Sequence, residues 1–161
     1  MAKIGRYLSL VLVVLIGLLL QEMFVLLEKE DTPLKAAIEF SKAYFTLDRE
    51  LMSKRLCSDY QASNIVDDYI YAIKKAAIDH GYNAGYYKSR LFDIKILVLQ
   101  KSIDKAKVRL TAKKRKAINP VYEYIGRLFR IGQTYEVDEV IDLVKEKDQW
   151  KVCSKIFNPT T

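Results

Sequence analysis

Hydrophobic and polar residues alternate in two runs near the end of the chain, separated by a short polar segment. Alternation with a period of two is typical of β-strands that have one apolar face. If Lys147 and Asp148 form a two-residue turn, Leu143 lies opposite Val152 on the apolar face. The other face then brings residues of opposite charge together across the two strands. The pattern predicts a β-hairpin over residues 135–157.

The same period of two recurs in the middle of the chain. It begins near Leu91, is interrupted by a turn near Ser102, and places these apolar residues on one face: Phe92, Ile94, Ile96, Val98, Ala106, Val108 and Leu110. Two further antiparallel strands are therefore predicted. Residues 119–132 begin with cap and proline signals and contain glycines, so we interpret them as a short helix, with an irregular strand extension as the alternative.

Three helices are predicted ahead of these strands. Thr32 followed by Pro33 signals the start of the first, Asp48 caps a short second helix, and Gly81 is the left-handed stop of the third. Residues 58–64 form a connection in this interpretation. Helices followed by strands predict an α+β domain with three helices on one face of a curved antiparallel sheet.

The beginning of the chain has no polar stripe. Residues 7–20 form an unbroken apolar run, and residues 7–27 as a helix rise about 31 Å, which matches a bilayer core of roughly 30 Å. No small residues suited to signal cleavage follow. We therefore expect a transmembrane helix over residues 7–27, with a cytoplasmic N-terminus at 1–6, a linker at 28–32 and the folded domain at 33–161.

Lys3 and Arg6 precede this run and acidic residues follow it, a bias that keeps the N-terminus in the cytoplasm. The expected location is the inner (cytoplasmic) membrane, crossed once, with the C-terminal domain on the extracytoplasmic side.

The order of elements resembles that of the nuclear transport factor 2-like superfamily. The segments that carry the resemblance are residues 32–40, 44–48 and 143–152, and the match covers about residues 32–157. It implies a cone of helices against a strongly bent sheet. With the anchor, the chain is similar to bacterial single-pass proteins that present this fold outside the inner membrane, including a type IV secretion component. The resemblance implies binding or assembly roles and transfers no functional residues.

The formal charge of +7 is concentrated in one strand. Its basic residues lie on one face, opposite in phase to the apolar ones: Lys105, Lys107, Arg109, Lys113 and Arg115. Pairing with Glu136, Asp138 and Asp142 of the next strand is one interpretation. Contact with anionic lipid headgroups of a membrane is the other. No nucleic-acid partner is expected, because aromatic residues do not interleave with these lysines.

The two cysteines and the single histidine do not suggest a metal site. Cys57 and Cys153 form no CxxC pair, and His80 alone cannot complete a zinc site, so no metal and no cofactor are expected. His80 is explained by its place in the last turn of a helix. Cys153 is out of phase with inward Val152, which predicts that the two cysteines are not disulfide-bonded.

One charged residue falls in phase with the apolar face of the last hairpin. Glu139 is predicted to point into the cone, unless a bulge near residues 132–139 turns it to solvent. Together with Tyr69 of the third helix and Trp150 at the hairpin tip, it forms the candidate set of ligand-contacting residues. No catalytic residue is assigned.

The function expected from these features is a membrane-anchored, extracytoplasmic binding or assembly module of the cell envelope that is not an enzyme. Its expected partner is another protein or a second copy of the chain. The alternative is an isomerase or dehydratase that uses the apolar cavity of the cone, for which the sequence supplies no evident acid and base pair.

Overall fold

A computed structural model describes residues 12–23, 30–116 and 134–154 of the chain. The chain divides into two compact units, Met1–Asp31 and Thr32–Thr161. Predictions for residues 119–132, and for the end of the last hairpin at 155–157, lie outside the described residues.

In the first unit, residues 12–23 are helical. Among the described residues, no helix is long and apolar enough to cross a membrane. The transmembrane helix in the predicted fold class is therefore wrong. The orientation derived from Lys3 and Arg6 concerns residues outside the described part and stays a prediction.

The described part of the second unit contains the three predicted helices and one further turn of helix. The four are α1 (Pro33–Thr46), α2 (Arg49–Arg55), α3 (Ser58–Gln61) and α4 (Ile65–Asp79). The N-caps of α1 and α2 are those that the sequence indicates: Thr32 Oγ1 accepts a hydrogen bond from Lys35 N at 3.2 Å, and Asp48 Oδ1 accepts one from Leu51 N at 3.1 Å. Helix α3 lies in the stretch that was predicted to be a plain connection.

Within the described residues, four antiparallel strands form one sheet in the order β1 (Ser89–Lys101), β2 (Lys105–Lys116), β3 (Tyr135–Glu146) and β4 (Gln149–Val152). The predicted α+β class with an antiparallel sheet is therefore correct. The predicted register of the last hairpin is also confirmed, because Leu143 pairs with Val152 and Lys145 with Trp150. Lys147 and Asp148 both have positive φ, as a two-residue turn between twisted strands requires.

The core lies between helix α1 and one face of the sheet, which we call the inner face. The largest fully buried side chains are Phe40, Met52, Leu56, Leu110, Ile141, Leu143, Val108 and Val152. Burying an aliphatic or aromatic side chain of this size contributes about 1.5–3 kcal/mol, so this layer is the main source of stability. On β2, inward residues alternate with outward charged ones, as the period of two predicts.

Strand β1 departs from its predicted phase. The pairing with β2 shifts between Phe92 and Lys95 and again between Val98 and Gln100. Asp93 has a positive φ of 51°, which marks the first shift as a bulge. Because of this bulge, Phe92 pairs with Lys113 on the outer face, whereas Ile96 pairs with Leu110 on the inner face. The prediction that Phe92 shares a face with Ile96 is wrong.

Candidate functional site

The basic residues of β2 lie on the outer face, and three of the five form ion pairs there. Lys107 Nζ lies 3.2 Å from Asp142 Oδ1, Arg109 Nε donates to Asp138 Oδ1 at 2.8 Å, and Lys113 Nζ lies 3.3 Å from Asp93 Oδ2. Pairing with Asp138 and Asp142 agrees with one of the two interpretations, whereas the partner of Lys113 is Asp93 of β1 and not an acid of the next strand.

The other two basic residues have different surroundings. Arg115 donates from Nη2 to Thr134 Oγ1 at 3.1 Å, and its guanidinium lies 5.6 Å from the centre of the Phe92 ring. Lys105 is exposed, with Val144 as its neighbour on β3. Binding of anionic lipid by this face stays a prediction.

The ion pairs also shift acid–base equilibria. The hydrogen bond from Arg109 holds the pKa of Asp138 below its usual range. Between the helices, the hydrogen bond from Arg49 lowers the pKa of Asp67 in the same way. All four side chains are well exposed, so solvent screens both pairs.

Tyr69 belongs to an aromatic cluster of Tyr44, Phe45 and Tyr69 between α1 and α4. The rings of Tyr44 and Tyr69 are stacked with centres 4.5 Å apart, and Phe45 meets Tyr44 edge-on at 5.1 Å. Burial, followed by the hydrogen bond with Tyr44, raises the pKa of Tyr69 above its usual range. Lys114 Nζ lies 5.4 Å from the centre of the Phe45 ring, so a cation borders the cluster. Tyr69 therefore acts as a neutral phenol at physiological pH.

Glu139 and Trp150 lie in different surroundings. Glu139 pairs with Leu110 in an unshifted β2–β3 register, so the alternative of a bulge before it is wrong for the described part of β3. Glu139 is nonetheless an exposed residue. Trp150 is 5% exposed and packs in the hydrophobic core.

His80 follows α4 as its C-cap and is exposed. Its backbone N–H donates to Ala76 O at 3.3 Å, and Gly81 has the positive φ predicted for the left-handed stop. The helix-end position predicted for His80 is confirmed. Within residues 12–23, 30–116 and 134–154, no group of three His, Cys, Asp or Glu side chains could hold a metal ion.

Cys57 and Cys153 form a disulfide bond, with their Cα atoms 5.3 Å apart, so the prediction that they are unpaired is wrong. The alternation argument assumed that the strand continues through Cys153, whereas β4 ends at Val152. Cys57 leaves α2 in an extended conformation, and its N–H donates to Val152 O at 2.9 Å. The two side chains therefore meet beside the end of β4.

The chain from Arg55 to Ser58 covers the β4 edge of the sheet. Leu56 forms a parallel bridge with Val152, and the buried guanidinium of Arg55 donates to Glu39 Oε2 at 2.7 Å and to the carbonyl oxygen of Trp150 at 3.3 Å. Ser58 N donates to Glu146 Oε1 at 3.2 Å. Every one of these contacts joins residues far apart in sequence, which is why the alternation pattern did not reveal them.

The β1 edge differs, because among the described strands β1 pairs with β2 alone. Its last third and the following turn expose four large apolar residues, which we call the apolar hairpin end: Leu97, Val98, Leu99 and Ile103. Leu97 is 62% exposed and Ile103 is 85% exposed. Exposed apolar residues on a long edge strand mark a place where another chain can bind. The alternation of apolar residues on β1 predicted only which residues lie on the inner face. It did not predict that this strand forms an exposed edge of the sheet.

No protein-family model matches the chain, and no curated protein is significantly similar to it. The resemblance to the nuclear transport factor 2-like superfamily therefore stays a prediction.

Proposed function

We propose that this protein is a binding or assembly module of the cell envelope that acts on the extracytoplasmic side, binds another protein through the apolar hairpin end, and carries out no catalysis. The observation that carries this proposal is the exposure of Leu97, Leu99 and Ile103 on an edge that no described strand covers. Apolar residues this exposed cost solubility unless a partner covers them.

The disulfide supports the extracytoplasmic part of the proposal. Cys57 is fully buried, and the bond links residues 96 positions apart. Structural disulfides persist in oxidising compartments and are rare where the cytoplasmic thiol buffers act. The bond therefore favours the part of the predicted location that places the domain outside the cytoplasm.

The inner face favours binding over catalysis. Glu139 and Lys114 are charged residues of the described inner face of the sheet, and Glu139 pairs with Leu110, four positions from Lys114 along β2. At about 3.3 Å per strand residue their backbones lie roughly 13 Å apart, too far for direct proton transfer between their side chains. An acid and a base within reach of each other would have favoured an enzyme.

Site-specific crosslinking in the native cell tests the proposal. A photo-crosslinking amino acid is placed at Leu97 or at Ile103, and the matched control carries it at Tyr71, which is 67% exposed on α4. We expect one defined protein adduct at the two hairpin positions and none at Tyr71. Equal labelling at all three positions, or none at any, would contradict protein binding through the hairpin end.

The same cells report on the compartment. Alkylation of free thiols before lysis should leave Cys57 and Cys153 unmodified, because both are oxidised outside the cytoplasm. A chain in which both thiols react would contradict the extracytoplasmic location.

A further inference from the structure

We propose that the β1 edge binds its partner by strand addition, and that the partner segment is an extended stretch with alternating apolar residues and an acidic residue near each end. This inference rests on the proposed function and names the partner's chemistry.

The backbone of β1 provides the first half of the argument. An edge strand presents unpaired N–H and C=O groups in a row, and an extended peptide satisfies them by forming one more strand. Between the two register shifts, residues 95–98 are regularly paired with β2, so their free edge has ordinary strand geometry. Leu97 on the outer face and Val98 on the inner face then provide contacts for both faces of the incoming strand.

Charge selects the partner. Lys95 and Lys101 are exposed on either side of the apolar run, and neither forms an ion pair within the described residues. The nearest acid on this strand, Asp93, is already paired with Lys113. Opposite charges directly across two strands stabilise their pairing, whereas like charges oppose it. An incoming strand with acidic ends is therefore favoured.

A second copy of the chain fits this edge poorly. Antiparallel pairing of β1 with itself brings two copies of Lys95 and Lys101 to one seam, in a protein whose formal charge is already +7. The bulges and edge lysines are devices by which sheets avoid self-pairing. The same devices leave the edge available to an acidic strand.

Peptide binding to the full chain is the test. The probes are fluorescent peptides as long as the segment from Lys95 to Lys101, with valine and threonine alternating between two glutamates, and the glutamates moved one position at a time across the set. Binding is measured by anisotropy and mapped by backbone amide shifts. We expect at least one acidic peptide to bind, with shifts along residues 95–101. The same peptide with N-methylated alternate amides should lose binding, because it cannot form the strand hydrogen bonds.

A charge swap sharpens the test. The double variant K95E/K101E should bind the acidic peptide about tenfold more weakly and gain affinity for the same peptide with lysine ends. The matched control K74E/K75E changes the net charge equally on exposed residues of α4 and should leave affinity unchanged.

Four results would overturn strand addition: no binding by any acidic peptide, equal binding by the N-methylated peptide, equal weakening by both double variants, or dimerisation of the chain through β1 in sedimentation. If one of these results is found while crosslinks at Leu97 to a partner protein persist, strand addition is wrong but the proposed function stands. Failure of the inference can therefore be distinguished from failure of the proposed function.

Discussion

The two edges of the sheet differ in what lies against them. At β4, the chain after α2 runs beside the strand, bridges to Val152 through Leu56 and is held there by the Cys57–Cys153 bond. At β1, Leu97 and Ile103 extend into solvent next to lysines. One edge is closed by the protein's own chain, and the other is paired with no further strand in the described part of the chain. Stability should therefore depend on the β4 edge, whereas binding should depend on the β1 edge, and variants at each edge can test that division.

Removing the disulfide should have the largest effect. The closed loop spans 96 residues, and the chain-entropy model assigns a loop of this size about 4–5 kcal/mol. The variant C57A/C153A should lose about 3–5 kcal/mol of unfolding free energy in urea denaturation. The wild-type protein under reducing conditions should behave like the variant. A loss below about 1 kcal/mol would show that the contacts of Leu56 and Arg55 close the edge without the bond.

Replacing Arg55 by methionine should cost less, about 2–3 kcal/mol, because it leaves the carboxylate of Glu39 and the carbonyl of Trp150 without this donor. Arg49→Met is the matched control, since its partner Asp67 is exposed and the change should not measurably alter the urea midpoint. Equal effects of the two substitutions would contradict the importance of the buried pair.

Substitutions at the β1 edge should leave stability almost unchanged. Leu97→Thr and Ile103→Ser should each change the unfolding free energy by no more than about 0.5 kcal/mol, because both side chains are already exposed. Both should reduce the crosslinks and the peptide binding described above. In contrast, Leu143→Ala in the core should cost about 2–5 kcal/mol. Destabilisation by the edge variants comparable to that of Leu143→Ala would mean that β1 is covered.

The smallest effect concerns pH. The hydrogen bond from Arg109 lowers the pKa of Asp138 in the folded state, so the pair stabilises the protein above the unfolded carboxyl pKa of about 3.9, and this contribution is lost as the pH falls through the lower folded value. Asp138→Asn should lower the urea midpoint slightly at pH 6, and the difference from wild type should shrink on acidification towards pH 3. A difference that grows on acidification would contradict the direction of this shift.

Local signals in the sequence predicted the local parts of the fold. Thr32 and Asp48 cap helices, and Lys147 and Asp148 turn the last hairpin, because each acts within three residues of itself. The transmembrane helix was predicted from apolar composition over residues 7–27, and among the described residues no helix is long and apolar enough to cross a membrane. An apolar composition is compatible with a bilayer, but it does not by itself determine the length of a helix.

The candidate site was harder to predict, because it depends on distant contacts. The bulge at Asp93 changes the face of Phe92, and the early end of β4 turns Cys153 towards Cys57. Trp150 was predicted to contact a ligand in a cavity but lies in the hydrophobic core, and its carbonyl oxygen accepts a hydrogen bond from Arg55, 95 residues earlier in the chain. Alternation with a period of two predicts which face of the sheet a residue lies on only where the strand has no bulge and does not end.

The single disulfide also determines which folding factors the chain requires. The sequence contains two cysteines, so only one intramolecular pairing exists and no incorrect pairing has to be reshuffled. Oxidation therefore requires an electron acceptor but no isomerase. Because Cys153 lies 96 residues after Cys57, the bond can form only once the last hairpin has been synthesised. Until the bond forms, α2 and β4 are held together by noncovalent contacts alone, and a chain stalled before Cys153 keeps Cys57 as a free thiol.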